Sequence, residues 1–401
     1  MFKLRTIITL SVLFILGWTG LNMYHYFFDK NIPELILTGI KNDDHYAGDI
    51  SCIVHGSHSY KVGKISVFLD ETPLIYNFSI GKQSFEHPFS INTRALTYGK
   101  HTLGIKLVDG TYQKNICEKI YTFFVDNIPL QAAFTHQESE IKAFQGRTLH
   151  VQFQTSKLLK EGKVTIFSED FLCFPEAKNS TIYEAFIPVD CEQAPNEYLF
   201  QVNCVDNVDN VITLESKVQV VPFPFKHQKL HVSDKKIEEE KIAGASQKLL
   251  DEKLKNYVDL SPHQKLWHGP FVIPFDATGI ISEFGTVRTS SLRGIYIHKG
   301  IDFLGQVRGL VWAPQDGIII EKDRYAFSGN TVVIDHGCGV FSLMFHLDSF
   351  HPDIEIGQKI KKGNPVGKMG MTGFANGYHL HWEMRINNIS VDPMEWTKNI
   401  W

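Results

Sequence analysis

Tyr378-His-Leu-His-Trp-Glu-Met384 is the stretch from which the fold of the C-terminal third can be read. Aromatic and apolar residues at this density favour a strand. In a strand, residues i and i+2 project from the same face. His379 and His381 therefore point at one spot, and Leu380 and Trp382 turn into a core. About eighty residues upstream, His298-Lys-Gly-Ile-Asp302 supplies a further imidazole and a carboxylate. On a helix His298 and Asp302 would share a face, but Gly300 and the flanking isoleucines oppose a helix. A turn through Gly300 leading into a strand is expected instead. His346, in Phe345-His-Leu347, lies between the two halves. Neutral imidazole and carboxylate are good zinc ligands, and three protein ligands leave a fourth position for water. That open position separates a reactive zinc from a structural one. A His-x-His pair alone is weak evidence for a metal. Its coincidence with His-x-Gly-x-Asp and the isolated His346 carries the reading.

Around these motifs, from about Trp267 to Trp401, glycines punctuate short apolar runs such as Val332-Val-Ile334. This pattern predicts a compact antiparallel β fold with many turns. The matching segments are Phe284-Gly285, His298-x-Gly-x-Asp302, Ala313-Pro-x-Asp-Gly317, Gly329-Asn330 and Phe345-His-Leu347. They continue with Gly357-Gln-Lys-Ile-Lys-Lys-Gly363 and Gly370-x-Thr-Gly373, followed by Gly377-Tyr-His-Leu-His381. In this order, the region closely resembles the lysostaphin/LytM-type zinc metallopeptidases, which cleave peptide cross-links of bacterial peptidoglycan. The resemblance implies that His298, Asp302 and His381 bind Zn2+ and that His346 and His379 form the catalytic pair beside the metal water. There is no His-Glu-x-x-His helix to supply a glutamate base. A histidine, with an ordinary pKa near neutrality, can take the proton. The implied activity is that of a zinc endopeptidase on peptidoglycan stem peptides or cross-bridges. The alternative is an inactive family member that regulates another cell-wall hydrolase, although all five expected side chains are present. One departure is Met344, where the family often carries tyrosine. A non-enzymatic adaptor, suggested by half-motifs similar to lipoyl-like barrels, would need paired long helices and leaves the histidines unexplained. Arg288 and Arg293 read as solvated loop charges, with acidic stem-peptide groups as the alternative partner. His336 and His351 read as structural or surface residues, and Asn330 as the holder of a turn.

The remaining chain reads as delivery apparatus. Lys3 and Arg5 precede an uncharged stretch from Thr6 to Phe28. Roughly twenty apolar residues span a bilayer as a helix, and the N-terminal positive flank keeps that end cytoplasmic. A cleaved signal peptide is the alternative. Either way the rest is exported. An anchor makes this a single-pass protein of the cell inner membrane or plasma membrane, with the catalytic domain on the extracytoplasmic side. Residues 31–127 and 128–225 read as two β-sandwiches. Lys100–Asp109 aligns with Glu197–Asp206, so Leu103, Ile105 and Leu107 map onto Phe200, Val202 and Cys204. Tyr98-Gly-Lys-His-Thr-Leu103 and Val125-Asp-Asn127 resemble bacterial immunoglobulin-like domains. Residues 226–262 read as a helical linker, with Ser233 as N-cap and Ile242, Ala245 and Leu249 at helical spacing. Residues 263–401 form the metallopeptidase domain, and residues 1–30 the tail and membrane segment. The fold class is thus mainly β, with one N-terminal transmembrane helix. A net charge of -4 gives no basic footprint for nucleic acid. None of the six cysteines forms Cys-x-x-Cys, so a thiolate zinc site is disfavoured. Cys204 is open between core packing and a disulfide to Cys173 or Cys191. Oligomeric state is not legible.

Overall fold

The structure, a computed structural model, describes residues 2–135, 141–230, 234–290 and 294–399, with side chains from residue 7 onward except at 230, 234–243 and 290. Ser233, Arg293 and Trp401 lie outside the described residues, as does the side chain of Ile242. The chain is mainly β and divides into two compact units. One comprises residues 1–129 with 207–210; the other comprises 130–206 with 211–401.

The first unit begins with helix α1 (Phe2–Phe28). Ile7–Phe28, 22 residues with mean hydropathy 1.6, is long and apolar enough to cross a membrane. Six strands then form one hydrogen-bonded sheet. Its two longest strands, Asp49–Leu69 and Thr72–Asn92, pair Leu69 with Thr72. Asp70 and Glu71 between them take positive φ, 47° and 67°, the geometry that lets a two-residue hairpin follow the strand twist. Alternating side chains fill the core: Ile65, Val67, Leu103, Ile105 and Leu107 are all inaccessible.

The second unit contains a five-stranded and a four-stranded sheet ahead of α2 (Asp234–Val258). Strand Glu197–Asp206 buries Phe200, Val202 and Cys204, the positions predicted from the repeat. Cys204 packs in this core, and all six cysteines are free thiols. Phe174 and Phe186 of these sheets join Trp267 and Trp396 in a common apolar cluster, so the module is fused to the C-terminal region through its core.

The C-terminal region is built on an eight-stranded antiparallel sheet. Its order is Ala277–Ser282, Ile301–Gly305, Leu380–Ile386, Val340–Leu347, Gly329–Asp335, Gly317–Tyr325 and Lys359–Ile360, with Ile389–Val391 also paired to Leu380–Ile386. Val340–Leu347 is buried along its whole length. Its outer cover is α2, whose Leu250 and Leu254 meet Phe341, Leu343 and Phe345. The helix is present as expected, but its inward stripe differs: Ala245 and Leu249 are exposed. Leu250 and Leu254, four residues apart, form the buried face because helical neighbours recur at that spacing.

Two polar groups are sealed beneath this sheet. His336 is fully buried, with ring nitrogens 2.7 Å from the Asp316 carbonyl and 2.8 Å from Ser342 Oγ. Burial pushes its pKa down to about 4, so it is a neutral structural residue. Its neighbour Asp335 accepts bonds at Oδ1 from Ser261 Oγ and the Gly337 amide. Burial nevertheless raises this carboxyl to about 6. The folded state therefore holds a proton that the unfolded chain releases near pH 4. The associated stability is present below pH 4 and is lost as pH rises through about 6. Asp335→Asn keeps both acceptor bonds and removes the buried charge. It should raise stability above pH 6 by about 1–3 kcal/mol and have no such benefit at pH 4. Unfolding temperatures compared at the two pH values check this; equal shifts at both would contradict it.

Candidate metal centre

His298 follows the strand Gly294–Ile297, and the chain turns through Gly300 into Ile301–Gly305, which carries Asp302. This is the turn expected from the sequence. Asp302 sits directly opposite His381 across an antiparallel ladder. Leu380 and Trp382 are inaccessible on the reverse face, as the two-residue period requires. The donors converge: His298 Nε2 lies 3.1 Å from Asp302 Oδ1 and 3.1 Å from His381 Nδ1. His381 Nδ1 is 2.7 Å from Asp302 Oδ1. Tetrahedral ligands about 2.05 Å from zinc stand about 3.3 Å apart. The three donors thus approximate one face of such a tetrahedron, slightly contracted. Among the described residues, this is the group of histidine, cysteine and acidic side chains whose donors could hold a metal ion.

Each donor is aimed from behind. His298 Nδ1 is 3.0 Å from the Glu283 carbonyl, which leaves Nε2 to face the cluster. His381 Nε2 is 3.1 Å from Glu383 Oε1. Outer carboxylates and carbonyls of this kind fix the tautomer and orientation of metal-binding imidazoles. Arg288 Nη2 donates to Asp302 Oδ2 at 2.9 Å, leaving Oδ1 to the cluster. Arg288 is thus not a solvated loop charge: its side chain is 18% exposed and paired with Asp302.

The electrostatics favour bound cations. Burial opposes ionisation of Asp302, but hydrogen bonds and charge from His298 and His381 hold it well below the usual carboxylate range. Burial also works against the charge on His381, yet Asp302 and Glu383 together push its pKa up to about 9. Burial would raise Glu383, but Arg385 and His381 bring it down to about 2.

His346 and His379 lie together at the edge of the triad, ring centroids 4.7 Å apart. The His346 ring centroid is 6.1 Å from that of His381. His346 reaches this position through a backbone irregularity. Met344 pairs with Val332 and Leu347 with Asn330, so two residues of one strand oppose Thr331 alone. This is a β-bulge, and His346 takes φ 60° within it. Such a conformation costs a non-glycine residue roughly 1 kcal/mol or more and is held by surrounding structure. The bulge lets Phe345 and His346, sequence neighbours, both serve the site: Phe345 stacks on His381 at 5.2 Å. Asn330 Nδ2 bonds the Leu347 and Asp348 carbonyls and anchors the segment after His346. Met344 is inaccessible in the core and does not reach the groove. His346 Nδ1 is 2.8 Å from the Thr372 carbonyl, and His379 Nδ1 is 2.9 Å from the Gly377 carbonyl. Burial lowers both imidazoles below their ordinary range. Both are therefore neutral at pH 7, with each Nδ1 proton committed to a carbonyl and each Nε2 available as an acceptor.

Gly300 makes the triad possible. A Cβ there would stand 2.6 Å from His381 Nε2 and 2.6 Å from the Trp382 carbonyl. Gly300→Ala should therefore displace His381, with metal affinity falling at least about tenfold, the scale of lost outer-shell support. Competition titration with a chromophoric chelator checks this; unchanged affinity would contradict it. The groove over the triad has a volume of about 800 Å³, with Tyr296, Phe327, Phe374 and Tyr378 among its walls.

Residues 296–393 match peptidase family M23. The C-terminal region carries an M23 domain. The chain is 31% identical over 121 residues to peptidoglycan DD-endopeptidase ShyC of Vibrio cholerae, covering 30% of this chain and 28% of that relative. It is 36% identical over 121 residues to DD-carboxypeptidase/endopeptidase Mpg of Neisseria meningitidis, covering 30% and 27%. The likeness thus spans under a third of this chain and of either relative. A candidate M23 peptidase from Pseudomonas aeruginosa superposes with TM-score 0.45 at 23% identity, covering 63% of this chain and 94% of that structure.

The five predicted site residues all border the same groove. Glu383, Arg385 and the supporting role of Arg288 were not anticipated. Glu383 and Arg385 could have been: they continue the i, i+2 face of His381, a polar triplet on a strand that is otherwise apolar.

Proposed function

We propose that the M23 domain is a zinc endopeptidase acting on peptide bonds of peptidoglycan, delivered to the extracytoplasmic side by an N-terminal helix that serves as anchor or signal. The observation that carries this reading is the convergence of three donors on one point, with two neutral histidines facing the same groove. Zinc bound there would act as a Lewis acid on water and on the scissile carbonyl. His298, Asp302 and His381 would hold it, with Glu283, Arg288 and Glu383 fixing their aim. His346 and His379 present Nε2 lone pairs to the groove. One of the two would accept the proton of the attacking water at Nε2, and the imidazolium so formed would then donate that N–H to the charge developing on the substrate oxygen; the pair shares these roles. The aromatic walls suit an extended peptide whose side chains pack at the rim while its backbone lies across the triad.

Incubating the full-length chain with purified peptidoglycan and separating the soluble muropeptides tests the proposal. New peptide termini that depend on zinc are expected. Stoichiometric zinc without new termini would instead favour a regulator of another cell-wall hydrolase.

A further inference from the structure

Behind His381 the polar chain does not stop at Glu383. Arg385, 1% exposed, donates from Nε to Glu383 Oε2 at 2.7 Å. Its Nη1 donates to Asp251 Oδ1 at 2.7 Å and to Asn388 Oδ1 at 2.9 Å. Asp251 belongs to helix α2, upstream of the residues that match the M23 family. It is tied in place: Asn388 Nδ2 donates to its carbonyl at 3.0 Å, and Gln247 Nε2 to its Oδ1 at 3.1 Å. Gln247 also borders the groove. An apolar route runs in parallel, from Leu250 and Leu254 through Phe345, whose ring stacks on His381.

We propose that Asp251 is a positioning residue for the metal centre, acting through Arg385 and Glu383 on His381. This rests on the metal-site reading above. The physical reason is directional. The guanidinium is a rigid planar fork, so fixing Nη1 on Asp251 sets where Nε and Nη2 point. Both then meet Glu383 Oε2, which leaves Oε1 to His381. Outer partners of a ligating histidine typically contribute 10–100-fold to metal affinity. Helix α2 is then part of the metal centre and not only a connection between domains.

The test measures zinc affinity of the full-length chain in detergent by competition with a chromophoric chelator. Asp251→Ala should weaken zinc roughly tenfold, the lower end of what outer partners contribute. Asp251→Asn, whose amide oxygen can take the same bond from Nη1, should recover most of that loss. Lys253→Ala is the control for helix docking. Lys253 bonds Glu321 and Tyr325 from the same helix and touches no member of the relay. It should lower thermal stability but leave zinc affinity unchanged. In a Glu383→Gln background, Asp251→Ala should add little, because a shared path makes the effects non-additive. Equal zinc losses in Asp251→Ala and Lys253→Ala, or a full Asp251→Ala effect in the Glu383→Gln background, would overturn the relay and leave the metal site standing. Failure of the unaltered chain to bind one zinc would overturn the metal reading itself, and the relay with it.

Discussion

His381→Ala is expected to abolish stoichiometric zinc binding and to lower peptidoglycan cleavage by at least about 10³-fold, since Lewis-acid assistance is worth several kcal/mol and each 1.36 kcal/mol is tenfold in rate. The size of the effect follows from the position of the side chain. His381 Nδ1 is within 3.1 Å of both other donors, and its Nε2 closes the link to Glu383. Its removal takes away one ligand and leaves the buried Glu383–Arg385 pair without its imidazole cap. Asp302 would also lose the His381 hydrogen bond, one of those that hold it ionised. Metal content by atomic emission, measured beside muropeptide release, checks this. Retention of one zinc per chain, or cleavage within about tenfold of the unaltered protein, would contradict the assignment of His381 as a ligand.

His346→Asn should separate the two halves of the site: cleavage falls by about 10²–10⁴-fold, the range for a positioned acid–base group, with one zinc still bound. His346 lies outside the donor triangle, so the ligand set survives its loss. Asparagine is the informative replacement because the backbone there has φ 60°, a region asparagine tolerates better than most side chains. Folding is thereby preserved while the imidazole is removed. His379→Ala should behave in the same direction, since the two rings are 4.7 Å apart and face one groove. If either variant lost its zinc, that histidine would be a ligand and the division of roles drawn above would fail. Unchanged cleavage with full zinc would remove it from the proton-transfer machinery.

The face that carries the candidate site was legible because strand periodicity is local: His379 and His381 two apart, backed by Leu380 and Trp382, required no knowledge of the tertiary fold. The turn through Gly300 was likewise readable from its neighbours. The inward positions of the repeat, Leu103, Ile105 and Leu107 with Phe200, Val202 and Cys204, followed from the same period. What escaped the sequence depends on non-local geometry. Arg288 is three-dimensionally adjacent to Asp302 only because the strand Val287–Ser290 turns back through Gly294–Ile297. The bulge that aims His346 leaves no compositional mark in Val340–Leu347, an apolar run apart from Ser342 and that histidine. The inward stripe of α2 was misplaced by one residue because its charged sequence has several weak apolar faces. Only contact with Phe341, Leu343 and Phe345 selects Leu250 and Leu254. Asp251, on that same helix, reaches the site only through Arg385, a partner 134 residues away in the chain.

The most direct measurement is zinc titration of the chelator-stripped, full-length protein while muropeptide release from purified peptidoglycan is followed. The metalloenzyme reading predicts no release without metal, then a linear rise that saturates at about one zinc per chain, as expected for a single three-ligand site. Undiminished release from the metal-free protein would contradict it.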